Sequence, residues 1–226
     1  MSSEGRTPVA LSLEPKPTGY YSNTRTELID LVPRPLGRVL DVGCGEGGAA
    51  EPLSRAGVTW IGGIEILPEP AAKAAEKYNQ VEVGDALETL DRFEGPFDTI
   101  LCYDVLEHVV DPLALVRRLR ESSSPGGHLH VSIPNARHVS LLVDLVFRGT
   151  FGYTEFGLRD STHLRWFTRR DIVALIEGAG WSVCSTVPSL RRFPLVHRPL
   201  HVLTRGLSTE FLTGQWFVLA RASSGT

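Results

Sequence analysis

Apolar residues recur along this chain in two rhythms. Short, nearly continuous apolar runs at Arg38–Val42, Trp60–Ile66, Val81–Val83, Phe97–Tyr103 and His128–Ile133 predict strands covered on both faces. Between them, Ala49–Ala56, Pro70–Tyr78 and Leu113–Arg120 space their apolar residues as helices do, and Gly57 supplies a helix stop. Parallel pairing needs a crossover of about a dozen residues, so this alternation predicts an α/β fold with helices on both faces of a parallel sheet.

After the fifth strand the rhythm loosens. A short helix is expected to begin at Tyr20, ahead of the first strand, and another covers about Val139–Phe147. An aromatic-rich loop follows over 148–167, and then a helix over Arg169–Glu177, opened by the capping pattern Thr168-x-x-Asp171 and closed near Gly178 and Gly180. Trp181–Val187 and Trp216–Ala220 read as two more strands, joined by roughly 28 residues, too many for a hairpin turn. Residues 1–19 lack periodicity and read as a mobile leader, so a single domain is expected over 20–226, with 188–213 as an insertion before the last strand.

Composition narrows the class. The 226 residues are 42% hydrophobic and 22% charged, as in a soluble globular protein. A net charge of −3 gives no pull toward nucleic acid. Cys44, Cys102 and Cys184 lie far apart with no C-x-x-C pair, which excludes a disulfide framework or zinc knuckle and fits a reducing cytoplasm. No run approaches the ~18 apolar residues of a membrane span, so a cytoplasmic protein is expected.

The chemistry concentrates in Val39-Leu40-Asp41-Val42-Gly43-Cys44-Gly45-Glu46-Gly47-Gly48. Glycines between a strand and a helix let the backbone approach a ligand closely. Gly43, Gly45 and Gly48 satisfy G-x-G-x-x-G, so a dinucleotide site is one reading. Glu65 ends the second strand, where a carboxylate accepts ribose hydroxyls, and Asp85 follows the third, within reach of an adenine amino group.

From about Val39 to Gly180 the sequence resembles the class I S-adenosylmethionine-dependent methyltransferases. Asp41-Val-Gly43-Cys-Gly45-Glu-Gly47, Gly63-Ile64-Glu65, Gly84-Asp85-Ala86, Phe97 to Pro112, and Pro125-Gly126-Gly127 match their motifs in order. The resemblance implies a Rossmann-like, seven-stranded, mostly parallel sheet whose last strand is antiparallel, with S-adenosylmethionine as cofactor. It also implies cofactor contacts from Tyr21, Arg25, Asp41, Gly43, Cys44, Gly45, Glu65, Ile66, Asp85, Ala86 and Tyr103, with Tyr20, Tyr21 and Arg25 as a lid. Ile133-Pro134-Asn135 and Asp160-x-x-His163-Leu164-Arg165-Trp166-Phe167-Thr168 are similar to a bacterial subgroup containing the ubiquinone-pathway O-methyltransferases and many tailoring enzymes. A small-molecule acceptor methylated at oxygen is the implied reaction. An NAD(P)-dependent oxidoreductase and a non-catalytic cofactor-binding module stand as alternatives.

Methyl transfer is an in-line displacement, so positioning comes first, and a hydroxyl acceptor also needs its proton removed. His108, just past the fourth strand, and His163, with Asp160 as its orienting carboxylate, are the candidate catalytic groups. The same residues serve equally well as helix-opening and loop-pinning groups. In the similar ubiquinone-pathway enzymes the positions of Asp104, Glu107 and His108 are associated with a divalent cation; magnesium favours oxygen ligands, so a divalent metal is an open but not the favoured expectation. Phe151, Tyr153, Phe156, Trp166 and Phe167 are expected to wall an acceptor pocket. The basic and apolar stretch 191–205 suits an anionic ligand or a membrane surface.

Overall fold

The computed structural model describes residues 25–189, 203–204 and 206–223. The expected leader, Tyr20, Tyr21 and nearly all of the 191–205 stretch lie outside the described residues. The chain opens with α1 (Thr26–Ile29), then β1 (Val39–Val42), α2 (Ala50–Arg55), β2 (Ile61–Glu65), α3 (Pro68–Ala75), β3 (Gln80–Val83) and α4 (Ala86–Thr89). There follow β4 (Phe97–Tyr103), α5 (Pro112–Glu121), β5 (Ser123–Pro134), α6 (Val139–Val143), α7 (Arg169–Gly178), β6 (Trp181–Pro188), α8 (Leu207–Leu212) and β7 (Gln215–Ala222).

The seven strands form one sheet in the order β3-β2-β1-β4-β5-β7-β6. The first five are parallel, and β7 slots between β5 and β6, antiparallel to both. That insertion separates the fold from a wholly parallel dinucleotide sheet. Alternate side chains of each strand enter different cores. Leu40, Val42, Ile100, Leu129, Val131 and Val218 pack with Leu115, Leu119, Ile172 and Ile176 of α5 and α7 on one face. Val39, Leu101, Tyr103 and Leu219 pack with Leu28, Leu53 and Ala74 of α1, α2 and α3 on the other.

Local chemistry explains most element ends. Thr168 and Asp171 form a reciprocal capping box at α7. Asp111 and Asp85 accept the Ala114 and Leu87 backbone N–H groups that open α5 and α4. Two elements depart from expectation. β5 begins at Ser123, ahead of the Pro125-Gly126-Gly127 segment, because the chain stays paired with β4 through a bulge there. The helix expected over 139–147 is α6 followed by a π-helical turn over Asp144–Arg148. Among the described residues no helix is long and apolar enough to cross a membrane.

Candidate active site

The carboxyl ends of β1, β2 and β4 meet at the glycine loop. Gly43, Gly45 and Gly47 have φ of +70°, +55° and +73°, a conformation that L side chains resist. At Gly43 space is also closed: a Cβ there would lie 2.5 Å from Val105 Cγ2. Outside the loop, Lys77 Nζ donates to the Glu46 carbonyl at 2.6 Å and Lys73 Nζ to the Glu46 carboxylate at 2.8 Å, bracing its shape.

Glu65 secures the loop from β2. Its Oε2 accepts the Gly45 N–H at 2.9 Å and its Oε1 the Leu67 N–H at 3.0 Å. Burial raises its pKa, and these N–H groups work against the shift. Asp41, at the end of β1, is buried and accepts the Tyr78 hydroxyl at 2.6 Å. Burial pushes its carboxyl up to about 6, against the Tyr78 hydrogen bond and the Arg25 charge. A carboxylate held at such cost is a natural partner for a cationic ligand group. A glycine loop whose backbone approaches closely, bordered by two buried carboxylates, therefore fits a nucleoside ligand that carries positive charge. Tyr78 was not singled out in the sequence; its place at the end of an Ala-rich helix gave no sign that it faces β1.

The remaining expected cofactor residues divide. Cys44 is buried, its thiol pKa raised by burial and by Asp41 and Glu65, which leaves a neutral thiol beside the loop. Ile66 is exposed at the end of β2, and Asp85 and Ala86 open α4 at the end of β3. Tyr103 lies on the side of the sheet that faces the α1–α3 core, where its hydroxyl meets His130 Nδ1 at 2.9 Å. Arg25 ion-pairs with Asp104 Oδ2, while Ser132 and Gln215 each donate to Asp104 Oδ1 at 2.8 Å.

Beyond β4 a tight turn over Leu106–His108 carries Glu107, 2% exposed, into the protein. Its carbonyl accepts the N–H groups of Leu164 and Arg165, fastening the 148–167 loop to the sheet edge. Its Oε1 stands 3.9 Å from His163 Nε2, and its buried Oε2 has no hydrogen-bond partner. Burial, with the Asp104 charge, holds the Glu107 pKa well above the usual carboxylate range. His108 and His163 meet edge to face with ring centroids 4.7 Å apart. Burial and the neighbouring His108 lower the His163 pKa to about 4, so its ring is neutral at pH 7.

The Asp160 charge acts on His163, opposing the burial that lowers its pKa. His163 Nδ1 faces the Leu158 carbonyl at 3.2 Å, and Asp160 Oδ1 accepts the Thr162 hydroxyl at 2.8 Å. Thr162 in turn faces His108 Nδ1 through both its carbonyl and its hydroxyl, at 3.2 Å each. Thr162 thus links Asp160 to His108 as well. The family-associated cation set does not assemble either, because both Asp104 oxygens are engaged by Arg25, Ser132 and Gln215. The ligand atoms that do converge, all within 4.8 Å of one another, belong to Glu107, His108 and His163.

On the loop itself, buried Asp144 binds Arg148 and Arg159 at 2.6 and 2.5 Å. The Phe151 ring packs on those of Tyr153 and Trp166, with centroids 4.9 and 5.1 Å apart, and Phe156 is exposed nearby in sequence. Phe167 belongs instead to the main core.

Comparison with known proteins agrees with this architecture. The family described as a methyltransferase domain matches residues 20–186. A ubiquinone biosynthesis O-methyltransferase of Ralstonia nicotianae is 35% identical over 177 residues, 71% of each chain. Another, from Xanthomonas euvesicatoria, is 31% identical over 151 residues, and the match spans 60% of each chain. The chain thus covers less than two thirds of the length of some of its curated relatives. A solved S-adenosylmethionine-dependent methyltransferase from Mesorhizobium loti superposes with a TM-score of 0.58 at 18% identity, over 86% of this chain and 95% of that one, which speaks to the fold. The matched family, the antiparallel seventh strand and the glycine loop beside Asp41 and Glu65 together set aside the dinucleotide reading: this chain belongs to the class I S-adenosylmethionine-dependent methyltransferases.

Proposed function

We propose that this chain transfers a methyl group from S-adenosylmethionine to an oxygen of a small-molecule acceptor. The observation that carries the reading is the placement of Glu65, whose carboxylate grips the glycine loop through Gly45 while facing the carboxyl edge of the sheet. The cofactor supplies an electrophilic sulfonium methyl; the protein's part is to hold two partners in line and keep water out.

In this reading Glu65 receives the ribose hydroxyls with the lone pairs that Gly45 and Leu67 leave over, and Asp85 and Ala86 border the adenine. Asp41 offers its carboxylate to the positively charged amino-acid end, with Gly43, Cys44 and Gly45 lining the approach. Across the sheet edge His108, beside Glu107 and His163, receives the acceptor's hydroxyl proton. Phe151, Tyr153 and Trp166 give the acceptor an apolar wall. The names of the relatives favour oxygen as the accepting atom, and a phenol, sugar or quinone-like ring fits that wall.

Calorimetric titration with S-adenosylhomocysteine, with NAD as control, is the first test. Micromolar binding of the first, about −8 kcal/mol, and none of the second is expected. A panel of phenols, sugars and carboxylic acids with isotope-labelled cofactor then reads acceptor class. Preference for NAD overturns the proposal; cofactor binding without transfer to any oxygen acceptor favours a binding module.

A further inference from the structure

We infer that this chain has exchanged the cation ligands its family resemblance implies, and that Glu107, His108 and His163, without Asp104, form a site for a borderline divalent ion such as zinc.

Three observations converge. First, Asp104 is withdrawn: Arg25 holds one oxygen, and Ser132 and Gln215 hold the other at 2.8 Å. Recruiting it to an ion would break an ion pair and two hydrogen bonds. Second, Glu107 is 2% exposed, and its Oε2 has no hydrogen-bond partner, a costly state that a cation would relieve. Third, both imidazoles are set as metal ligands usually are, with the second ring nitrogen tied to a backbone carbonyl. His163 Nδ1 faces the Leu158 carbonyl and His108 Nδ1 the Thr162 carbonyl, each at 3.2 Å. Because Thr162 gives its hydroxyl proton to Asp160, it can only accept from His108, which fixes the proton on Nδ1.

The chemistry of the set selects the ion. Two imidazoles and one carboxylate suit zinc and its neighbours, whereas magnesium demands oxygen ligands. Tetrahedral ligands about 2 Å from a shared ion are roughly 3.3 Å apart; the three ligand atoms here lie within 4.8 Å of one another, with Glu107 Oε1 and His163 Nε2 at 3.9 Å, so the side chains would draw together on an ion. An ion here would retain positions for water or an acceptor hydroxyl and ease loss of its proton. Since Glu107 and His108 lie at the sheet edge and His163 on the 148–167 loop, the ion would also clasp that loop.

The test is titration of the full-length, chelator-treated protein with Co²⁺, read by visible absorption, followed by Zn²⁺ competition. Wild type is expected to take up one ion per chain with micromolar affinity, unaffected by millimolar Mg²⁺. His163→Ala should weaken uptake at least tenfold, and Asp104→Asn should change it by less than threefold. His163→Gln serves where the alanine variant does not fold, judged by circular dichroism. Loss of uptake in Asp104→Asn with retention in His163→Ala overturns the ligand assignment; no uptake by wild type overturns the site. S-adenosylhomocysteine binding, measured separately, keeps either failure distinct from failure of the methyltransferase reading.

Discussion

Arg25 and Asp104, the two non-glycine residues with positive φ among those described, at 50° and 54°, are also each other's ion-pair partners. Each backbone adopts a conformation that L residues avoid, and the pair draws the chain ahead of α1 onto the end of β4. Asp104 in addition gathers Ser132 of β5 and Gln215 of β7, so one carboxylate joins three strands to the first helix.

Asp104 should therefore tolerate Asn better than Ala. Asn visits the left-handed region readily and still accepts from Ser132 or Gln215, whereas Ala loses the bonds and keeps the strain. Urea denaturation should place Asp104→Ala about 2–4 kcal/mol below wild type, with Asp104→Asn nearer wild type. Equal losses would show that backbone conformation is not a large part of the cost.

Asp41 makes stability depend on pH with a definite sign. Its folded pKa of about 6 lies above the unfolded 3.8, so the folded state holds its proton more tightly. The contribution is fully present below pH 3.8 and is lost as pH rises through 6. Asp41→Asn should thus match wild type near pH 4 and exceed it at pH 8 by about 2–3 kcal/mol, from a shift of two units. The same variant should bind S-adenosylhomocysteine more weakly, and melting curves at both pH values check the first half.

Glu65→Gln keeps the shape and removes the charge. One of the two backbone donors, Gly45 or Leu67, then faces an NH₂ group, and the loop loses an anchor. Affinity for S-adenosylhomocysteine should fall about 10- to 100-fold, or 1.4–2.8 kcal/mol, by calorimetry. A change below threefold would remove Glu65 from the cofactor site.

Gly43→Ala confronts both a φ of +70° and a 2.5 Å approach to Val105. It should destabilise by at least 2 kcal/mol and abolish cofactor binding. Adding Val105→Ala should recover part of the stability, since only the collision is relieved. An additive double mutant would contradict the packing explanation.

Asp144→Ala should separate the two halves of the site. With Arg148 and Arg159 released, the loop bearing Phe151 and Tyr153 loosens. Acceptor KM should rise about tenfold, the order of one charge-assisted contact, while S-adenosylhomocysteine affinity stays unchanged.

Sequence reading found the strands where burial is two-sided, as at Val39–Val42 and Phe97–Tyr103, because composition there leaves little choice. It misplaced the start of β5 because Pro125-Gly126-Gly127 has the composition of a turn while the backbone holds the register of a bulge. The π-helical turn at Asp144–Arg148 depends on hydrogen-bond spacing, which side-chain pattern does not record. In the candidate site, motif spacing pointed to residues that the fold gathers at the carboxyl edge of the sheet, but not to their pairings. Asp160 and His163 are three apart in sequence, yet the loop directs the carboxylate to Thr162. Tyr103 faces His130 for a reason that strand alternation did contain: Asp41, Leu101 and Tyr103 share one side of the sheet.

The placement of β7 between β5 and β6 also orders events in time. Residues 181–188 leave the ribosome well before 215–222, yet among the described strands β6 borders only β7. During translation, then, β5 stands as an open edge and β6 has no partner, a state in which a nascent chain is exposed to mispairing with others. Of the seven strands, the last to be synthesised is the one that seals the sheet.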